Sequence, residues 1–196
     1  MPARILVFAG SIRSGAYSGR TADAAIKELA LQGAETTRIS LADYPLPLMD
    51  EDLEREKGVP ENAMRLARVF AGQDGLVICT PEYNGSLPPL LKNTLDWLSR
   101  VKRDGGRPLK PYEGKVAGLC SSSDGNFGGN YAIQHLRQVL IKCRVEMITP
   151  QVLVPNAHDA FDDEGQFEQE RIRHQMTALA TTLIERVALL SRRIEP

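Results

Sequence analysis

Short apolar runs alternate with longer amphipathic segments along this chain. Most of the runs are rich in Val, Ile and Leu, and the run 35–40 contains the β-branched residues Thr and Ile; the segments between them repeat apolar residues at steps of three or four. This alternation predicts strands buried on both faces of a parallel sheet, with helices covering them. Strands are predicted at 4–9, 35–40, 75–80, 115–120 and 145–148, the last continuing through 151–154; helices are predicted at 18–32, 60–71, 88–100, 129–142 and 165–192.

Residues that commonly start and stop helices mark several of these boundaries. Gly33 follows the first predicted helix, and Pro60 and Pro88 stand where a first helical residue is expected. The last helix carries one apolar stripe, which is typical of a packing helix: Ile172, Met176, Leu179, Leu183, Val187 and Leu190. The proline-bearing stretch 43–59 is interpreted as an irregular surface excursion.

Five successive strand–helix pairs predict an α/β fold. Because crossovers between parallel strands are right-handed, the best match is a flavodoxin-like three-layer sandwich. Its five-stranded parallel sheet has the order 2-1-3-4-5, with helices on both faces. The chain has 196 residues, 42% of them hydrophobic and 25% charged, which fits one domain over residues 1–196.

Charge and composition narrow the possible partners. A net charge of −1 argues against nucleic acid or an anionic membrane as the partner and favours a small molecule. No run approaches the roughly 20 apolar residues of a membrane span, and the first residues lack the features of a secretory signal. Cys79, Cys120 and Cys143 are widely spaced and are interpreted as buried, reduced thiols. These features predict a cytoplasmic protein.

Ligands of such sheets bind beyond the carboxyl ends of the strands, which here are followed by three unusual loops. The first loop, residues 10–18, reads Gly-Ser-Ile-Arg-Ser-Gly-Ala-Tyr-Ser. It lacks the spacing of a nucleoside-triphosphate loop and of a dinucleotide fingerprint. Ser11, Arg13 and the amides at the start of a helix suit a single phosphate group. The same residues are also compatible with an ordinary polar helix start capped by Ser.

The second and third loops have a composition that can surround a flat ligand. The second, residues 81–88, reads Pro-Glu-Tyr-Asn-Gly-Ser-Leu-Pro and places an aromatic ring beside exposed backbone groups. Alternatively, it is a plain strand-to-helix turn centred on Asn84 and Gly85. The third, residues 121–129, is rich in Ser and Gly, which permit close backbone approach but also occur in generic connections. All three loops should open at one end of the sheet.

Together these motifs resemble the NADPH-dependent FMN reductase family, which includes flavin, quinone, azo and chromate reductases. The matching segments are Gly-Ser-Ile-Arg at 10–13, the eight residues at 81–88, and Leu-Lys-Asn-Thr-Leu-Asp-Trp at 91–97. The resemblance covers nearly the entire chain. The second segment is the most specific, because a whole loop and its following helix agree in order and spacing.

The resemblance implies a set of FMN-binding residues. Ser11, Arg13 and Ser18 would hold the phosphate; Pro81, Glu82, Tyr83 and Asn84 would line the ribityl chain and the isoalloxazine ring; Ser121, Gly125 and Phe127 would close the other side of the ring. Many members carry Ser-x-Asn where this chain has Ala-Tyr-Ser at 16–18, so one phosphate hydroxyl is missing at Ala16. No catalytic residue and no metal ligand is implied, and Glu82 is interpreted as a loop or interface residue rather than an acid.

The implied reaction is ping-pong. NADPH, or NADH, delivers a hydride to FMN, and a quinone, free flavin, azo compound or chromate then takes the electrons in the same opening. The family resemblance also implies a homodimer or homotetramer. Two alternatives stay open: a flavodoxin-type electron carrier, which is usually strongly acidic, and a non-enzymatic interaction module on the same fold.

The segment 100–115 is rich in Lys and Arg, including Arg103 and Arg107. It could receive the extra phosphate of NADPH, although a solvated basic loop is the preferred interpretation. His135, His158 and His174 share no metal-binding spacing and are assigned surface or packing roles. Trp97 is expected in the core or at a subunit contact.

Overall fold

The computed structural model describes residues 1–191 and has a five-stranded parallel sheet at its centre. The strands are β1 (Arg4–Ala9), β2 (Glu35–Ile39), β3 (Gly75–Pro81), β4 (Val116–Ser122) and β5 (Glu146–Val154). Their order across the sheet is β2-β1-β3-β4-β5, and all four pairings are parallel. The predicted flavodoxin-like α/β fold and the order 2-1-3-4-5 are therefore confirmed.

Within residues 1–191, six α-helices surround the sheet. They are α1 (Tyr17–Leu31), α2 (Glu51–Lys57), α3 (Glu61–Ala71), α4 (Pro89–Arg100), α5 (Asn130–Lys142) and α6 (Glu170–Ser191). One apolar core joins α1 and α6 to the sheet, and a second core on the opposite face joins α3, α4 and α5. The inner strands are buried on both faces, because each face of the sheet has its own helix layer.

Two helix boundaries differ from the sequence prediction. The stretch 43–59 contains α2, none of whose residues is buried; only Leu53 packs against the core from this helix, so no apolar stripe marks it in the sequence. The last helix begins at Glu170 rather than at residue 165, because Phe161 and Phe167 pair across the intervening loop with ring centroids 4.9 Å apart. Its predicted end at Arg192 lies outside the described residues.

The edge strand β5 is continuous but irregular. Ala117 of β4 pairs with Met147, but Leu119 pairs with Gln151, so β5 has two extra residues over this stretch, which explains the two separate runs in the sequence. Arg137 of α5 donates from Nη1 to the Ile148 carbonyl at 3.0 Å, next to this shift. Pro150 is tolerated here because an edge strand has one unpaired side.

The buried residue Trp97 also fixes the segment that leads into α2. Its Nε1 donates to the Pro47 carbonyl at 2.7 Å, and Asn93 Nδ2 donates to the same oxygen at 2.9 Å. Asn93 Oδ1 accepts a hydrogen bond from the Met49 backbone at 2.8 Å. The surface excursion is therefore anchored to α4, and Trp97 lies in the core, as expected.

Removing both donors to Pro47 should cost more than the sum of the single losses. We expect Trp97→Phe and Asn93→Ala each to lower the free energy of unfolding by about 1–2 kcal/mol. The double variant leaves the Pro47 carbonyl without either donor, so its loss should exceed the sum. Urea unfolding of the four proteins measures this coupling, and strict additivity would contradict it.

Asp74 joins the starts of β1 and β3 through Arg4. Arg4 donates from its backbone N and from Nε to Oδ2 at 3.0 and 3.1 Å, and from Nη2 to Oδ1 at 2.8 Å. Burial would raise the pKa of the Asp74 carboxyl, but the hydrogen bonds from Arg4 outweigh it, so the pKa lies below its usual value. A lowered native pKa stabilises the fold at neutral pH and loses that contribution on acidification.

Asp74→Asn should therefore lower the free energy of unfolding at neutral pH. Because solvent screens this partly exposed ion pair, the loss should be only about 1 kcal/mol. Both Arg4 and the largely buried Lys115 would lose their neighbouring negative charge. The difference from the parent protein should shrink as the pH falls below the ordinary carboxyl range, where the parent's Asp74 also becomes neutral. Denaturant unfolding at about pH 7 and about pH 3 tests this, and a constant difference would oppose it.

Candidate active site

The three loops follow the carboxyl ends of three adjacent strands and therefore lie at the same end of the sheet. Ala9 of β1 pairs in register with Cys79 of β3, and Cys79 pairs with Cys120 of β4. The next pairs bring Pro81 and Ser122 together at the carboxyl ends. Because these strands are parallel and adjacent, their following loops meet above one end of the sheet, as predicted.

The first loop ends at a helix start that no side chain caps. Ala16 precedes α1 and its side chain accepts no hydrogen bond, and no acidic residue lies in the first turn. Ser11 Oγ accepts from the Arg13 backbone at 3.3 Å, which leaves the hydroxyl hydrogen free to donate. Within the described chain, Arg13 has no carboxylate within ion-pair distance; its guanidinium lies 5.8 Å from the centroid of the Tyr17 ring. The arrangement favours an anion at this helix end.

Ser18 adds a buried hydroxyl to this helix start. The residue is almost completely buried, yet its Oγ has no hydrogen-bond partner among the described residues. Buried hydroxyl groups are normally paired, so an unpaired one beside free helix amides fits a phosphate oxygen. The uncapped helix start, Ser11, Arg13 and the unpaired Ser18 hydroxyl together fit the phosphate of FMN.

A cavity of about 230 Å³ adjoins the outer side of the first loop. Its walls come from the loop, from α1 and from the end of β2, and include Arg13, Arg20 and Arg38. Arg38 pairs with Asp23 at 3.1 Å, and the Arg20 guanidinium stacks 4.5 Å from the centroid of the Phe161 ring. Positive charge is thus concentrated beside the predicted phosphate site.

The second loop is a tight two-residue turn. Tyr83 and Ser86 exchange backbone hydrogen bonds of 2.8 and 3.1 Å, and Asn84 and Gly85 between them have φ values of 51° and 76°. Two consecutive positive φ values define the turn type for which Asn-Gly is the preferred pair. The backbone N–H groups of Asn84 and Gly85 have no partner in the described part of the chain. The turn predicted from Asn84 and Gly85 is therefore present, with two free donors at its tip.

Glu82 and Ser86, on either side of this tip, contact α5. Glu82 Oε2 accepts a hydrogen bond from the Ala132 backbone at 3.1 Å. Ser86 Oγ lies 2.9 Å from Nδ1 of His135. The Glu82 carboxylate therefore has a structural partner, which agrees with its interpretation as a loop residue; its backbone remains at the candidate site.

The third loop uses most of its polar groups internally. Ser121 is fully buried and its Oγ donates to the Gly128 carbonyl, whereas Gly125 donates its backbone N–H to Ser123 Oγ at 3.1 Å. The Ser121 hydroxyl and the Gly125 amide therefore have partners within the loop itself, and the contacts of these two residues with the ring stay a prediction. Phe127, by contrast, is 73% exposed and free to contact a ring.

Each loop exposes one large apolar side chain. Ile12 is 55% exposed in the first loop and Tyr83 48% in the second, alongside Phe127 in the third. Exposed apolar groups on three converging loops are suited to a planar apolar ligand. Sequence reasoning missed Ile12, although an apolar residue between Ser11 and Arg13 in a polar loop was the available signal.

The titratable groups below the loops do not point to acid–base chemistry. A hydrogen bond with Cys79 and complete burial raise the pKa of the Cys120 thiol well above its usual value. Buried reduced thiols were predicted, but Cys143 is only partly buried. Among residues 1–191 no group of His, Cys, Asp and Glu has the arrangement of a metal site. Over the same range, no helix is both long and apolar enough to cross a bilayer.

The basic segment 100–115 lies far from the candidate site within one chain. Helix α4 starts directly after the second loop, and its 12 residues span about 18 Å toward the opposite edge of the sheet. There, Arg103–Asp104 pairs with Arg107–Pro108 in a short hairpin, and Asp104 binds Arg68 at 2.7 Å. This position favours the solvated basic loop over contact with NADPH.

Comparisons with known proteins agree with this geometry. The profile of the NADPH-dependent FMN reductase family matches residues 3–159. An NAD(P)H-dependent FMN reductase of Pseudomonas aeruginosa is 35% identical over 182 residues, covering 90% of this chain and 92% of that protein. A quinone reductase of Escherichia coli K12 is 38% identical over 139 residues, covering 70% of this chain and 69% of that protein.

Solved structures support the same fold. FerB, a flavoenzyme NAD(P)H:(acceptor) oxidoreductase from Paracoccus denitrificans, superposes with a TM-score of 0.76 at 23% identity, covering 95% of this chain and 98% of that chain. The family match and the P. aeruginosa relative each span most of this sequence. The chain therefore belongs to the NADPH-dependent FMN reductase family of oxidoreductases.

Proposed function

We propose that this protein binds FMN between its three loops and passes electrons from NADPH to a small acceptor. The proposal rests on two features that lie together beyond the carboxyl ends of the strands. One is the uncapped start of α1 with the unpaired Ser18 hydroxyl, and the other is the set of exposed apolar side chains on the three loops. The whole chain would act as a single FMN-binding domain.

The proposed contacts follow from the free groups of each loop. Ser11, Arg13, Ser18 and the first amides of α1 hold the phosphate. Pro81, Tyr83, Asn84 and the backbone of Glu82 line the ribityl chain and one side of the ring, while Phe127 and the backbone near Gly125 close the other. Ile12 joins this set as an apolar contact beside the phosphate loop. Ser121 supports the third loop from beneath.

Bound FMN supplies the hydride and electron transfer, so the protein needs to bind, orient and shield its ligands. The free N–H groups of Asn84 and Gly85 can donate to negative charge that develops at the edge of a bound heterocycle. The donor and the acceptor would use one opening in turn, which gives ping-pong kinetics. The names of the relatives favour a quinone as the acceptor; free flavin, azo compounds and chromate remain candidates. A homodimer or homotetramer stays a prediction.

Anaerobic mixing with NADPH distinguishes the enzyme from an electron carrier. We expect the visible absorbance of bound FMN to bleach rapidly, and a quinone to restore it. Steady-state rates at several quinone concentrations should give parallel double-reciprocal lines. Binding of FMN without hydride uptake would instead favour the carrier, and the near-neutral charge already weighs against that alternative.

The phosphate contacts can be tested by flavin binding alone. Arg13→Ala should weaken FMN binding by about tenfold, because a charge-assisted hydrogen bond to the phosphate is lost. Ser18→Ala should also weaken it, while leaving the apoprotein at least as stable, since the hydroxyl has no partner there. Arg55→Ala, on the exposed helix α2, is the matched control and should bind FMN normally. Equal affinities for FMN and riboflavin, which lacks the phosphate, would contradict the assignment.

A further inference from the structure

The turn of the second loop is attached to α5 at both of its sides. Glu82 precedes the turn and accepts a hydrogen bond from Ala132 at 3.1 Å, in the first turn of the helix. Ser86 closes the turn and lies 2.9 Å from His135, almost one helical turn further along. The turn between these contacts is short and hydrogen-bonded, so its position follows that of α5.

The same end of α5 is joined to the third loop. Gly129 immediately precedes the helix with a φ of 79°, and a Cβ at this position would lie 2.9 Å from Ser121 Cβ and 3.6 Å from Glu82 Cβ. Ser121 in turn donates to the Gly128 carbonyl. The second loop, the third loop and the start of α5 are therefore packed together with no space for an added side chain.

Glu82 supplies the N-terminal cap that the sequence of α5 itself does not contain. The residue before the helix is Gly129, which has no capping side chain, and the first turn contains no acidic residue. A carboxylate at a helix N-terminus satisfies a free backbone donor and interacts favourably with the helix dipole. Because this carboxylate comes from another loop, the bond that stabilises the helix also fixes the relative position of the two loops.

We propose that Glu82 is a positioning residue whose bond to Ala132 sets the spacing between the second and third loops, and so the width of the crevice for the FMN ring. The proposal rests on the function proposed above. Ser86 and His135 support the same alignment from the other side of the turn. The Glu82 side chain acts on the ligand only through the backbone that it holds in place.

The direct test uses protein free of FMN and two variants of Glu82. Glu82→Ala removes the acceptor, and we expect the Ala132 amide to exchange its hydrogen at least about tenfold faster and FMN to bind about tenfold more weakly. Glu82→Gln keeps an oxygen that can accept from Ala132, so it should restore most of both properties. Amide exchange reports the anchor itself, and flavin fluorescence quenching reports its effect on the crevice.

Asp50→Ala is the matched control. Asp50 is also a carboxylate that accepts from a backbone amide at a helix start, that of Asp52 at 2.8 Å, but it caps α2 and bonds to neither α5 nor the second or third loop. This variant should leave both the exchange of Ala132 and the affinity for FMN unchanged. If Glu82→Ala does not fold, Ser86→Ala replaces it, and faster exchange in the turn with weaker FMN binding is expected.

The outcomes separate the two proposals. If the parent protein binds FMN but Glu82→Ala leaves affinity and exchange unchanged, the positioning role is overturned while the proposed function stands. If Glu82→Ala speeds exchange of Ala132 without weakening FMN binding, the anchor exists but does not set the crevice, which also overturns the role. If the parent protein does not bind FMN at all, the proposed function fails and the positioning role fails with it.

Discussion

The parallel register of β1, β3 and β4 is the constraint on which the rest of the structure depends. These strands are buried on both faces and pair residue by residue up to Ala9, Cys79 and Cys120. A slip of one residue would exchange the side chains that pack in the two cores, so close packing on both faces specifies the register. The register in turn fixes where each strand ends, and thus brings the three loops together. The candidate site is a consequence of core packing.

Most of the fold could be predicted because burial leaves a regular pattern. The strand order and the helix layers follow from apolar runs, helical periodicity and the handedness of crossovers. Helix α2 could not be found in this way, since none of its residues is buried. The late start of α6 depends on the pairing of Phe161 with Phe167, a contact that periodicity does not encode.

The loops were predicted better than the roles of their side chains. Composition and position identified all three, and the turn at Asn84 and Gly85 follows from local backbone preference. The partners of Glu82 and Ser121, however, lie 50 and 7 residues away along the chain. A sequence motif marks both residues but does not say whether the side chain faces a ligand or another loop. Here the loops hold one another with these side chains and leave backbone amides free.

Because the loop side chains bind one another and the free donors are backbone amides, the candidate site has few titratable groups. A planar cofactor that carries its own redox chemistry needs apolar contacts for its ring, hydrogen-bond donors and a positive charge beside its phosphate. It does not need a catalytic acid. In the proposed site, the exposed apolar side chains would contact the ring, and the backbone N–H groups at the turn tip would donate to it at any pH. The positive charge lies beside the first loop, where Arg13, Arg20 and Arg38 border one cavity, although Asp23 offsets part of it. The basic hairpin lies at the other end of the sheet and adds no charge here. The three arginines would therefore attract a phosphorylated ligand locally, although the overall charge is nearly neutral.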